Sequence, residues 1–127
     1  MSFIASLEID GESHKILDCN FQFNQPTGTN SKPSGKTQGG SINISLELHR
    51  NIELIEWMIN STITKSGSVV FYNRDSMSRQ LTLEFENGYC TNLNADYHSN
   101  SNQPLKLSIT ITPEILRINS IEHKNNW

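Results

Sequence analysis

The chain has 127 residues, a formal net charge of −3 and only 18% charged side chains. Phosphate backbones call for a cationic footprint, so a nucleic-acid partner is not expected. No run approaches the ~20 apolar residues that span a bilayer, so membrane insertion is not expected either.

The length fits a single domain, residues 1–127, able to bury roughly two-thirds of its unfolded surface. The first residues lack a basic stretch followed by an unbroken apolar run, so they read as a strand and not as a signal peptide. Phe3, Ala5, Leu7 and Ile9 share one face at the period of a half-buried strand. Asp10-Gly11 is a tight-hairpin pair. Residues 15–24 alternate Leu17, Cys19, Phe21 and Phe23 against Asp18, Asn20 and Gln22.

Residues 25–40 have no apolar side chain apart from Pro26 and Pro33. They carry Lys32 and Lys36 and no acid. A loop this long is either a solvated excursion or a segment that orders against a partner. Alternation resumes over residues 41–49, with Ile42, Ile44, Leu46 and Leu48 inward.

Residues 52–61 switch to helical spacing. Leu54, Ile55, Met58 and Ile59 form the inward stripe, Glu53 and Glu56 face water, and Asn51 is the expected N-cap. Trp57 falls one position off the stripe and reads as the anchor that packs the helix onto the barrel. Lys65-Ser66-Gly67 leads into a strand over 68–73, and residues 74–78 form a loop. Residues 79–86 alternate Leu81, Leu83 and Phe85 inward. Asn87-Gly88 reads as a second tight turn. Residues 89–98 place Tyr89, Thr91, Leu93, Ala95 and Tyr97 on one face. Leu105, Leu107, Ile109 and Ile111 make the clearest strand, and residues 115–118 a last short one before a polar tail. Seven or eight strands and one helix give a mainly β fold: a small antiparallel β-barrel or two-sheet sandwich with one short α-helix.

Catalytic and metal signatures are not assembled. His14, His49, His98 and His123 show no ligand spacing. Ser13, His14 and Asp18 have the residue types of a nucleophilic triad without a strained nucleophile turn. Glu84 and Glu86 read as ordinary acids on a strand face. Gly35-Lys36-Thr37 resembles the end of a phosphate loop, but that loop needs a glycine at position 30, which is Asn, and a following helix. Cys19 and Cys90 read as small buried residues. No enzyme activity, cofactor or metal is expected.

Several segments in order resemble one family. They are residues 1–11, residues 16–21, Pro33-Ser34-Gly35 through Gly39-Gly40, Leu54-Ile55-Glu56-Trp57-Met58, residues 65–71, Phe85-Glu86-Asn87-Gly88-Tyr89-Cys90, and residues 122–127. Together they are similar to the tube protein of the bacterial type VI secretion system (haemolysin-coregulated protein, TssD) of the Bacteroidetes kind. The resemblance implies a two-sheet barrel with a flanking helix. It implies homohexameric rings that stack into the inner tube of a contractile injection machine. The implied partners are further copies of the chain, the sheath and spike proteins, and effector proteins carried in the lumen. The implied location is the bacterial cytoplasm, with export to the extracellular space or target cell on contraction. In that family an extended loop between early strands touches the neighbouring ring or subunit. By position this loop contains Gln25, Pro26, Thr29, Asn30, Lys32, Pro33, Ser34, Lys36 and Gln38. Outward Asn, Ser, Thr and Gln would then serve neighbours and a polar lumen. The other reading is a monomeric β-barrel binding module for a small ligand or glycan.

Overall fold

The computed structural model describes residues 3–24, 38–47, 52–100 and 105–124. Among them are eight strands and one helix: β1 Phe3–Ile9, β2 Glu12–Asn24, β3 Gln38–Glu47, α1 Glu53–Ile59, β4 Lys65–Asn73, β5 Arg79–Tyr97, β6 Leu105–Thr112, β7 Ile115–Ile118 and β8 Ile121–Lys124. All pairings are antiparallel, in the order β4-β1-β2-β3-β6-β5-β7-β8. An additional β4–β5 pairing joins that order back on itself. Six strands therefore form a closed circuit, and β7 and β8 extend outward from β5. Closure removes strand edges that would otherwise be open to aggregation.

Two long strands, β2 and β5, run through both sheets. The first half of β2 pairs with β1 and its second half with β3. Likewise, β5 pairs with β4 and β7 up to Gly88, then with β6 from Tyr89 onward. The result is a six-stranded sheet (β8-β7-β5-β4-β1-β2) joined at both sides to a four-stranded one (β2-β3-β6-β5).

At the β5 crossing the sequence signal misleads. Asn87-Gly88 is not a hairpin turn. Asn87 takes a left-handed φ of 54°, which Asn tolerates. The strand bends and continues there without reversing, as at the corner of a barrel. Gly88 permits close packing, because a Cβ on it would stand 2.9 Å from the Ile111 methyl. Asp10-Gly11 is a true two-residue turn, with φ of 54° and 75°, between β1 and β2. Positive φ at both positions suits the right-handed twist of the strands.

Strand bounds differ from expectation where bulges intervene. Around Leu17 the β2–β3 register shifts, so Ile16 turns into the core ahead of Cys19 and Phe21, while Phe23 stays exposed. In the second half of β5, Cys90 is buried and Thr91, Ala95 and Tyr97 are exposed, because a register shift lies between Cys90 and Asn92. Lys65 to Gly67 belong to β4. Residues 121–124, expected as tail, form the outermost strand β8. Leu48, His49 and Asn51 lie outside the described residues.

The interior is filled by aliphatic and aromatic side chains. Leu7, Ile42, Val69, Leu83, Leu107 and Ile111 are fully buried, and Ile44, Phe85, Ile109 and Leu116 nearly so. Branched aliphatic and aromatic side chains from both sheets fill the centre.

α1 is shorter than the periodicity suggested, and it is rotated. Leu54 and Trp57 are its buried residues, each 1% exposed, whereas Ile59 is 78% exposed. The helix spends less than two turns over β5, so its orientation follows the one large side chain with a polar atom to satisfy. Trp57 Nε1 donates to the Gly88 carbonyl at 3.0 Å. The N-cap is Ile52, which makes no side-chain capping bond. Glu53 and Glu56 in the first turn complement the helix dipole instead. Asn60 ends the helix in extended conformation, and its Oδ1 accepts from the Thr62 amide and hydroxyl at 3.0 and 2.7 Å.

Candidate functional site

The outward face of the four-stranded sheet is built of matched polar rungs. Register aligns Asn20, Asn43, Thr110 and Asn92 across β2, β3, β6 and β5. The next rung aligns Asp18, Ser45, Ser108 and Asn94, and the one beyond it Glu47, Lys106 and Asp96. These positions alternate with the core residues Ile42, Ile44 and Leu46 of β3 and Leu107, Ile109 and Ile111 of β6, as a half-buried antiparallel sheet requires.

Cross-strand hydrogen bonds tie the rungs together. Thr110 Oγ1 donates to Asn43 Oδ1 at 2.7 Å, and Asn43 Nδ2 donates to Asn20 Oδ1 at 2.9 Å. The hydroxyls of Ser45 and Ser108 are hydrogen-bonded to each other at 3.0 Å. Lys106 Nζ reaches Asp18 Oδ2 at 3.1 Å, which balances an exposed acid of the sheet. A shallow open groove of about 450 Å³ runs over this face, lined by Asp18, Asn20, Asn43, Ser45, Asn92 and Thr110 among others. Such a surface offers donors and acceptors with little net charge. It suits wetted contact with other proteins better than tight capture of a small apolar ligand.

A second polar cluster fixes the sheet margin. Arg117 on β7 donates from Nη2 to Glu86 Oε2 on β5 and from Nε to Glu122 Oε2 on β8, both at 2.9 Å. Glu86 chiefly, with Glu122, raises the Arg117 pKa further above the arginine range. β8 is held again where the His123 and Phe23 rings meet edge to face, 5.0 Å between centroids. Gly40 sits against this contact at a φ of 75°, and a Cβ there would be 3.1 Å from the His123 ring.

Of the loop residues singled out by sequence, Gln25, Pro26, Thr29, Asn30, Lys32, Pro33, Ser34 and Lys36 lie outside the described residues. Gln38 opens β3, opposite Asn24 at the end of β2. Trp57 lies beneath α1, as above. His14 lies 3.8 Å from Glu12. Among the described residues, no group of three or more His, Cys, Asp or Glu converges as a metal site.

Both thiols are free. Burial pushes the Cys19 thiol up to about 11, and it pushes Cys90 up against a smaller opposing hydrogen bond with the Asn92 carbonyl. Thiolate is the reactive form, so neither cysteine should label quickly near neutral pH. Ellman's reagent at pH 8 is expected to react with both thiols only as fast as the chain opens, and at once in denaturant. Stoichiometric labelling of the native protein within seconds would contradict this. The raised folded-state values also set a sign. The Cys19 contribution is complete below the unfolded thiol value and is lost as pH rises through about 11, and that of Cys90 has the same sign.

The rungs are set by strand register, which the sequence does not display. Alternation marks which residues face outward, but the pairing of Asn43 with Thr110 and Asn20 depends on bulges and bends that composition does not show. β8 and the Arg117 cluster lacked even that signal, since Ile121 is 72% exposed and no apolar alternation frames the strand.

Comparison with known proteins places this architecture. The family model described as Hemolysin coregulated protein Hcp (TssD) matches residues 1–127. Hcp1 from Flavobacterium johnsoniae is 32% identical and superposes with a TM-score of 0.90, covering 96% of this chain and 99% of that one. Hcp1 from Salmonella typhimurium is 11% identical with a TM-score of 0.77, covering 93% and 86%. A chain of the sheath-tube complex of an extracellular contractile injection system, PVC, shares the fold at 19% identity and a TM-score of 0.57, covering 92% and 87%. The comparison with curated proteins returned no match. Matched from first residue to last, and superposing on Hcp1 over nearly its whole length, the chain belongs to the haemolysin-coregulated protein (TssD) family.

Proposed function

We propose that the chain is a structural subunit of a type VI secretion tube. Six copies close into a ring, rings stack into a tube, and the tube works inside a sheath. Family membership over the full length carries this reading. The architecture supports it. The described core residues are apolar, and the polar chemistry lies on the outer face of the sheet. The polar rungs of the four-stranded sheet suit the lumen wall, where they would hold effector proteins through water-mediated hydrogen bonds. No residue in this account makes or breaks a bond; the work is assembly.

Size-exclusion chromatography with light scattering is expected to give a mass six times that of the 14.4 kDa chain, and negative-stain images rings with an open centre. Deleting residues 29–36 should leave ring mass and the circular dichroism spectrum unchanged and abolish stacking of rings. A chain that stayed monomeric at every concentration would overturn the subunit reading. Unaltered stacking by the deletion variant would overturn the role of the loop.

A further inference from the structure

We propose that the two ends of the six-stranded sheet are the two halves of one head-to-tail contact between copies of this chain. The acidic outer face of α1 on one copy receives the basic tip of the β4–β5 hairpin of the next. The contact rests on the subunit reading only in that copies must assemble.

The first half stands at the Lys65 end of β4. Lys65 pairs with Gly88, and Gly88 carries the indole of Trp57. Facing away from that anchor, Ile52 is 68% and Ile59 78% exposed. They are seven residues apart, hence on one side of the helix. Glu53 and Glu56 are exposed beside them, and neither forms an ion pair with another described residue. The β1–β2 turn adds Asp10 and Glu12 to the same end, where Lys65 binds Asp10. The exposed isoleucines beside Glu53 and Glu56 form half of a contact.

The second half lies at the far end of β4, about 26 Å away at ~3.3 Å per residue. There Arg74 and Arg79 are exposed and in no ion pair with another described residue. Met77 is 58% exposed between them, and Phe3 opposite Asn73 is 49% exposed. The two arginines outweigh the one acid of the tip, Asp75. The tip is built to hold its shape. Asn73 Oδ1 accepts from the Asp75 amide at 2.9 Å, and the Asn73 carbonyl accepts from the Met77 amide at 2.8 Å. The hydroxyls of Ser76 and Ser78 meet at 2.8 Å. Met77 is held at a φ of 55°, a conformation a methionine adopts only when its surroundings impose it. A pre-ordered apolar and basic tip loses little entropy on docking.

The separation keeps the two ends of one molecule apart, so each meets its complement only on another. Their differing chemistry makes the contact heterologous, the kind that closes rings or propagates stacks. Opposite charge steers encounter, and the exposed isoleucines and Met77 supply the area that leaves water.

The test reverses each half. E53K/E56K and R74E/R79E are prepared separately, and folding is checked by circular dichroism and melting. Each alone should lose at least ten-fold in assembled fraction by light scattering at low salt. Mixed one to one, they should reassemble with alternating subunits, since the basic helix of one variant meets the acidic tip of the other. If a double variant fails to fold, E56K and R79E carry the same comparison. Either variant assembling like wild type, or a mixture that stays apart, overturns this contact while leaving wild-type assembly intact. A monomeric wild type would instead sink the subunit reading itself.

Discussion

Replacing Trp57 by alanine is expected to cost about 3–5 kcal/mol of unfolding free energy. The indole is 1% exposed and fills the space between α1 and β5. Removing it leaves a cavity whose lining loses its contacts outright. The Gly88 carbonyl, buried at the strand crossing, also loses its donor. A seven-residue helix has no independent stability, and this one lacks a side-chain cap, so after the loss of Trp57 only Leu54 remains buried to hold it. Trp57→Phe keeps one aromatic ring and removes the N–H with part of the indole volume, for a smaller expected cost of about 2 kcal/mol. Urea unfolding followed by far-ultraviolet circular dichroism measures both. A W57A loss under 1 kcal/mol would show that α1 is anchored by something else.

Gly67→Ala is the second substitution expected to do serious damage, about 2–3 kcal/mol. Gly67 sits in β4 between Ile9 of β1 and Phe85 of β5. A Cβ there would fall 2.6 Å from the Glu8 carbonyl oxygen and 3.1 Å from the Phe85 ring. The first clash is with backbone, which cannot rotate away, so the β1–β4 seam has to part. Gly11→Ala is the control. Its φ is 75°, but nothing stands within 4 Å of the added carbon, so only about 1 kcal/mol of backbone strain is expected. Equal losses from the two variants would mean that conformational strain dominates and the steric account of Gly67 is wrong.

How much of this was legible in advance follows from which interactions are local. Period-two alternation found β1, β3 and β6, because a half-buried strand writes its burial into its own residues. The Asp10-Gly11 turn was legible for the same reason: both residues adopt the left-handed conformation their side chains permit. Asn87-Gly88 carries an identical signal and does something else, because β7 and β6 flank the two halves of β5 and hold the chain on course. Local chemistry permits a bend at such a pair, and tertiary pairing decides whether it becomes a reversal. The bulge beside Leu17 exchanged Ile16 for Leu17 in the core in the same way. The helix was legible as a helix but not in its rotation, since two turns of periodicity average poorly and one indole hydrogen bond outweighed them. The polar rungs were legible as outward residues and not as a surface, because that surface exists only through pairings between strands far apart in sequence.

The unbroken run of β5 through both sheets has a mechanical consequence. A pull along its axis loads the ladders with β4, β7 and β6 together, so bonds yield in shear, many at once, and cannot be unzipped one by one. Neither sheet can slide away while the other stays whole. One shared strand ties the fate of the two halves to a single rupture event.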